Sequence, residues 1–278
     1  SLNIVPNSLI DQQHRAGEFD PAEVPLNEKN LAYRAAAAMA QAHGLTVNDL
    51  NLNLHIDKAV PVAGGMAGGS ADAAAALLAV DQYLYEKRLT ERTLGLEELL
   101  ALAAPLGADV PFVVRAAFPL GGLAVGEGTG TELSIVELPE DMIPLDIVLV
   151  AASEGLSTPQ VFSELDEGRA AGRYPEAGEL QVPSGLLHAL TQTETPIARI
   201  HEIGRQLRND LQGPAVTLAP DLETILTMDN ESIVEAFVSG SGPTVAILVE
   251  DAPAADELAA ALRRRGRHAV AAQTPAAL

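Results

Sequence analysis

Apolar and polar positions along the chain switch between two periods. From about Glu28 to His43 the residues Leu31, Ala35, Met39 and Ala42 recur every three or four positions, which predicts a helix with one buried face. In LNLHID (52–57) Leu52, Leu54 and Ile56 alternate with Asn53, His55 and Asp57, the period of a half-buried strand. Ser70 to Tyr85 reads as a second helix, with an Ala-rich start that lets it lie close to another backbone. A further helix, LEELLALAAPLG (96–107), leads into GADVPFVV (107–114), and GGLAVGEGTG (121–130) reads as a strand and a glycine turn. PLDIVLVAA (144–152) is a continuous apolar run suited to a buried strand, and it opens the second half.

The second half starts with a stretch rich in Gly, Arg and Pro (168–183) that predicts a loop, then a helix around 197–207 and a helical turn or two over 222–228. VEAFVSGSGPTVAILVE (234–250) has a strand–turn–strand pattern, followed by a helix over 255–265 and a closing strand, HAVAAQ (268–273). At the other end, SLNIV predicts a short strand, and polar, proline-containing sequence follows to about Pro25. There is no internal repeat and no heptad run. Alternating strands and helices predict an α/β or α+β chain built in two layers.

Composition narrows this. The 278 residues suffice for two modest domains or one large one, and 47% are apolar while only 3% are aromatic, so the core is aliphatic. With no cysteine, disulfides, thiol catalysis and thiolate metal sites are excluded, and a reducing compartment fits. No apolar run approaches membrane-spanning length and no basic-then-apolar leader is present, so the expectation is a soluble cytoplasmic protein. A formal net charge of -21 argues against nucleic acid, which demands a basic surface, but not against a nucleotide. A helix N-terminus binds phosphate through backbone N–H groups with few cationic side chains. The only lysines are Lys29, Lys58 and Lys87.

Three stretches carry candidate chemistry. In PVAGGMAGGSADAAAA (61–76), Pro61 ends a strand and Gly64, Gly65, Gly68 and Gly69 permit positive φ and an open backbone before an Ala-rich helix, for which Ser70 is the expected N-cap. Such a loop aims several N–H groups and a helix dipole at one spot, suiting a triphosphate. It is neither a Walker A loop nor the dinucleotide fingerprint, and the plainer reading is a tight glycine turn. In GADVPF (107–112), Asp109 reads first as a helix N-cap and secondly as a general base for a substrate hydroxyl. SGSGPT (239–244) is a hairpin turn by structure, or a backbone able to approach phosphates.

In this order and at these separations, the three motifs resemble those of the GHMP kinases (galactose, homoserine, mevalonate and phosphomevalonate kinases). Within that superfamily they are most similar to the branch that phosphorylates a cytidine diphosphate-linked methylerythritol in non-mevalonate isoprenoid synthesis. EGLSTPQVF (154–162), LRNDLQGPAV (207–216) and Asn30-Leu31 fit as well, so the resemblance covers nearly the whole chain. It implies a two-domain α+β fold, with an ATP-loop domain over 1–145 and a ferredoxin-like domain over 146–278. It implies ATP and Mg2+ as cofactors and the cytidine diphosphate-linked polyol as substrate, with no carboxylate pair in the sequence marking metal ligands. By the same resemblance, Pro61, Gly64, Gly65, Met66, Ala67, Gly68, Gly69 and Ser70 hold the ATP phosphates, and Lys58 and Asn30 lie near adenine and ribose. Asp109 is the catalytic base. Thr158 and Phe162 hold the cytosine ring, with Gly240, Ser241 and Gly242 on the substrate side; without the family, Phe162 reads as a core aromatic and Lys58 as a solvated strand end.

One family segment has no counterpart here: a K-I-N-L strand followed by R-x-D-G-Y-H, which supplies a lysine paired with the catalytic aspartate and a Tyr-His pair for cytidine. Lys29 and Lys87 lie in helix contexts and Lys58 is already assigned, leaving Asp109 without a lysine partner. Two expectations stand: an N-terminal part of the native protein precedes Ser1, or this form is truncated and inactive. The rivals to the main reading are a homoserine or mevalonate type of GHMP kinase, and a nucleotide-binding form without turnover.

Overall fold

A computed structural model of the chain describes residues 2–4, 24–57, 64–118, 122–137, 144–152, 155–176, 184–191 and 196–274. The backbone divides into two compact units, one of residues 1–62 and 67–136, the other of 63–66 and 137–278.

In the first unit, β1 (Leu2–Ile4) runs parallel to β2 (Leu54–Ile56), with Leu2 opposite Leu54 and Ile4 opposite Ile56. Between them come α1 (Leu31–Ala42) and the short α2 (Val47–Leu50). After β2 the chain builds α3 (Gly68–Glu86), α4 (Leu96–Ala103) and α5 (Val110–Ala116), then the hairpin β3 (Ala124–Glu127) and β4 (Glu132–Ile135). The core is what the composition demanded, an alanine and leucine interior. Ala32, Ala35, Ala36 and Met39 of α1 share it with Ala73, Ala74, Leu77 and Val80 of α3, and with Leu99, Val110 and Val114 of the later helices. Small facing residues allow α1 and α3 a close approach, since helix spacing is set by the side chains at the contact.

The second unit holds β5 (Asp146–Ala151), α6 (Thr158–Ala170), α7 (Ser184–Thr191), α8 (Pro196–Gln206), α9 (Gln212–Leu218), α10 (Asp221–Leu226), β6 (Ile233–Val238), β7 (Val245–Val249), α11 (Ala252–Arg264) and β8 (His268–Gln273). Its sheet has the order β6-β7-β5-β8, every neighbouring pair antiparallel. Counted from β5 as the first strand of the unit, this is the split β-α-β-β-α-β arrangement of the ferredoxin-like fold. β7, inside the sheet, is buried at every position, while β5 alternates, with Asp146, Val148 and Val150 buried. Val148, Val150, Ile247 and Val249 form the core with Leu258 and Leu262 of α11, which packs on β5, β7 and β8.

Some elements arise where the sequence pattern predicted none. α6 runs to Ala170, three residues into the stretch expected to be a loop, and α7 and α9 are new; β4 pairs with β3 beyond the expected glycine turn. α6 is mostly polar and buries only Val161, Leu165 and Gly168, a stripe too narrow to show as a periodic pattern. Among the described residues no helix is long and apolar enough to cross a membrane.

Candidate active site

The glycine loop ends in α3, whose first residue is Gly68, two positions earlier than expected. Ser70 is therefore not the N-cap; it lies within the first turn. The cap position belongs to Ala67, held in the left-handed region (φ 51, ψ 25) with no side-chain capping bond. The first-turn N–H groups of any helix lack intrahelical acceptors, and here no side chain of the cap supplies one. A 19-residue helix thus presents N–H groups at Gly68, Gly69 and Ser70 that have no acceptor among the described residues, together with the positive end of its dipole. An anion is the natural partner of that geometry.

Other candidate residues of the first unit gather at this helix start. A Cβ on Gly69 would stand 3.4 Å from Leu31 Cδ1, so the beginning of α1 lies against the loop's last glycines. Asn30 caps α1: its Oδ1 accepts the Ala32 N–H at 2.9 Å and its Nδ2 donates to the Pro25 carbonyl at 2.9 Å, leaving it 7% exposed. On the other side, a Cβ on Gly107 would lie 3.9 Å from Ser70 Oγ, and one on Gly130, in the β3–β4 turn, 3.6 Å from Ala108 Cβ. Asp109 follows directly. It occupies the N-cap position of α5, yet its side chain makes no capping bond, and its backbone carbonyl alone accepts the Val113 N–H. The aspartate read first as a cap is exposed, and its carboxylate has no partner among the described residues.

In the second unit, residues 64–66 of the loop meet the β6–β7 turn. Ser239 Oγ–H donates to the Gly65 carbonyl at 3.0 Å. Gly65 has φ +69, and a Cβ there would sit 2.6 Å from the Ser239 carbonyl oxygen and 2.7 Å from that of Gly242, distances no side chain tolerates. Within the turn the Ser239 N–H bonds the Thr244 carbonyl and the Gly242 N–H bonds the Ser239 carbonyl, both at 2.8 Å; Gly240 and Gly242 adopt positive φ. The peptide between Gly242 and Pro243 is cis.

Ser241 is 8% exposed, and its Oγ shares a hydrogen bond of 2.8 Å with Thr158 Oγ1 at the start of α6. Phe162 comes one helical turn after Thr158 and is 49% exposed, so it is no core aromatic. Lys58 and Pro61 lie outside the described residues. Asn209 escaped the sequence reading as an individual residue: its amide donates to the carbonyls of Val238 and Gly240, both at 2.7 Å, while Gln212 Oε1 accepts the Val238 N–H at 3.0 Å. The only signal was its place in the LRNDLQ segment, where an Asx residue commonly organises local backbone.

The chain matches the family described as GHMP kinases N terminal domain over residues 30–116, and GHMP kinases C terminal over residues 187–268. Fold and loop together define a GHMP kinase. A protein of Paenarthrobacter aurescens, a 4-diphosphocytidyl-2-C-methyl-D-erythritol kinase, is 42% identical over 276 residues, covering 99% of this chain and 78% of that one. A relative of the same name from Corynebacterium jeikeium is 42% identical over 263 residues, covering 90% of this chain and 68% of its own. The chain belongs to the 4-diphosphocytidyl-2-C-methyl-D-erythritol kinase family. A crystal structure of a 4-(cytidine 5'-diphospho)-2C-methyl-D-erythritol kinase aligns with a TM-score of 0.65 at 28% identity, covering 98% of this chain and 81% of that one. The homoserine kinase of Cytophaga hutchinsonii (TM-score 0.63, 16% identity, 99% and 81% covered) shares the fold.

Proposed function

We propose that the chain transfers the γ-phosphoryl group of ATP to the 2-hydroxyl of 4-diphosphocytidyl-2-C-methyl-D-erythritol. The observation that carries the reading is the uncapped start of α3, with an uncapped aspartate carboxylate in the loop beside it. The reading divides the chain into an ATP-loop domain over 1–145 and a substrate-side domain over 146–278, and the change of compact unit after Val136 supports a boundary in that region. The absence of cysteine fits a cytoplasmic location.

In the proposed mechanism Gly64 to Ser70 hold the triphosphate by backbone N–H groups, which stabilise charge with few cations. Asp109 accepts the proton of the 2-hydroxyl as its oxygen bonds the γ-phosphorus; the bond from that phosphorus to the bridging oxygen breaks and ADP leaves. The aspartate's freedom from capping suits this role, because a carboxylate tied into a helix cap is a poorer proton acceptor. Phe162 offers an exposed ring for the cytosine, with Thr158 and Ser241 beside it. Asn30 acts through the fold by fixing the start of α1 against Gly69. Among the described residues no cluster of three or more His, Asp or Glu is built to hold a metal ion. The reading takes a magnesium ion together with the nucleotide, where its phosphates and one or two carboxylates would hold it. Bound there it would offset phosphate charge.

Radiolabelled ATP offered with the diphosphocytidyl substrate, homoserine or mevalonate tests the reading: label is expected in the first alone. Label in either of the others, or ATP binding with no transfer to any, overturns it. Asp109→Asn is expected to lower kcat by about 10²–10⁴ with little change in KM for ATP, the size of a lost general base. Because the side chain supports no cap, the variant's melting temperature should match the parent's.

A further inference from the structure

Two of the four residues of the Ser-Gly-Ser-Gly turn have no side chain to fix their backbone. Gly240 (φ +56) and Gly242 (φ +78) adopt backbone conformations that glycine enters and leaves freely. Yet this turn is seated against Gly65 so closely that a single methyl group would collide with two of its carbonyls. Something outside the turn holds it in one shape.

Thr158 ties Ser241 on one side at 2.8 Å, and on the 238–240 side the holder is Asn209. Both of its amide hydrogens are engaged, one on the Val238 carbonyl and one on that of Gly240, at 2.7 Å each. Its Oδ1 accepts the Leu211 N–H at 2.9 Å, which fixes which end of the amide faces the turn. Gln212 completes the grip from the same segment by accepting the Val238 N–H. The contacts then run without a gap: Asn209 to Gly240, Ser239 to Gly242 within the turn, and Ser239 Oγ to the Gly65 carbonyl. The C=O and N–H of a planar trans peptide point in opposite directions. Fixing the Gly65 carbonyl on Ser239 therefore aims the Met66 N–H away from the turn. Orientation of a loop N–H group is what a phosphate site needs, since a donor a few tenths of an ångström or some tens of degrees off loses much of its bond.

We infer that Asn209 is a positioning residue of the nucleotide-phosphate site, acting through the 239–242 turn on the peptide between Gly65 and Met66. The inference rests on the reading of residues 64–70 as that site. Behind Asn209 lies an open cavity of about 850 Å³, which Gln212, Arg169, Tyr174 and Arg208 also line. Gly240 is exposed, so water can replace the amide at its carbonyl, and the effect of removing the amide falls on the turn.

Asn209→Asp keeps the size and the acceptor for Leu211 while losing both donors. In nucleotide-free protein, hydrogen exchange at the Ser239 and Gly242 amides is expected to rise about tenfold or more, as their bonds within the turn open. ADP affinity by calorimetry and KM for ATP should weaken by about tenfold, with kcat at saturating ATP within about threefold of the parent. That split separates positioning from general loss of structure, which lowers the active fraction and hence kcat. Unchanged exchange overturns the clamp, and faster exchange with unchanged ADP affinity overturns its link to the nucleotide. If Asn209→Asp does not fold, Asn209→Ser, shorter and uncharged, takes the same measurements, and the same outcomes support or overturn the clamp. A parent protein that binds no ADP rejects the kinase reading itself, and the exchange measurement still decides whether Asn209 holds the turn.

Discussion

Three residues with positive φ show how differently the same backbone angle can weigh. Gly44 (φ +70) has nothing within 4 Å of the place a methyl group would take, so alanine there meets only the left-handed penalty, about 1–2 kcal/mol. Ala67 (φ 51) already bears that penalty, at the point where the loop becomes helix. Gly65 adds a collision with two backbone carbonyls at 2.6 and 2.7 Å, and backbone cannot rotate aside as a side-chain tip can. Gly65→Ala is therefore expected to cost more than Gly44→Ala by at least about 1–3 kcal/mol, the usual scale of overpacking. It should also abolish ADP binding, while Gly44→Ala leaves it intact; denaturant melts and calorimetry on the two variants check both. A Gly65→Ala protein that binds ADP normally would show that the turn can be displaced without harm. The sequence pointed to Gly64, Gly65, Gly68 and Gly69 as sites of positive φ, but of these only Gly65 adopts it. The αL cap at Ala67 was not legible, since alanine carries no signal for that conformation, and it misplaced the helix start by two residues. Asp109 was legible as a candidate, but its freedom from capping is a matter of rotamer and φ/ψ that sequence does not carry.

At the scale of elements, α4 shows a helix end built by side chains where α3 leaves its own open. Glu98 accepts the Gly95 N–H at 2.9 Å, and the Arg92 guanidinium grips both its carboxylate oxygens at 2.7 Å. The Arg92 bonds first, and the Gly95 N–H second, hold the Glu98 carboxyl down to about 2 from an ordinary 4.5. A carboxyl lowered in the folded state stabilises fully above its unfolded value and loses that stabilisation as pH falls towards the folded one. Glu98→Gln should thus lower the melting temperature at neutral pH, with the gap to the parent closing as pH drops from about 4.5 to about 2. The pair is exposed, so raised salt should narrow the gap as well. A gap that persists in acid would mean the carboxylate charge is not what stabilises this end. The elements with clear periodicity were legible: α1, α3, α4, α8, α11 and strands β2, β5 to β8 lie where the pattern put them, give or take a few residues. α6, α7 and α9 were not. Each is short or mostly polar and owes its helicity to packing against neighbours, which no local window contains.

For the whole molecule the decisive feature is that each unit owns a core. Leu77 is fully buried among the alanines of α1 and α3, and Ile247 is fully buried in β7 beneath α11. Truncating either to alanine removes comparable apolar volume, at about 2–5 kcal/mol each. If the chain unfolded as one cooperative body, both substitutions would loosen hydrogen-exchange protection everywhere by similar amounts. Two separate cores predict otherwise. Leu77→Ala should accelerate exchange in α1, α3 and α4 and leave β5 and β7 close to the parent; Ile247→Ala should do the reverse. The glycine loop is shared between the two units, because residues 63–66 group with the second unit while α3 belongs to the first. Exchange at the Ser239 and Gly242 amides should follow Ile247→Ala, since the turn stands on β6 and β7, and the α3 amides should follow Leu77→Ala. Bound ADP would protect the amides of whichever stretch holds it, by the mass-action stabilisation that any native-state ligand confers. The comparison of exchange with and without ADP therefore reads out which of the two units contributes to the site. Protection confined to α3 would assign phosphate binding to the helix end alone, and protection that also reaches the 239–242 turn would include the clamp.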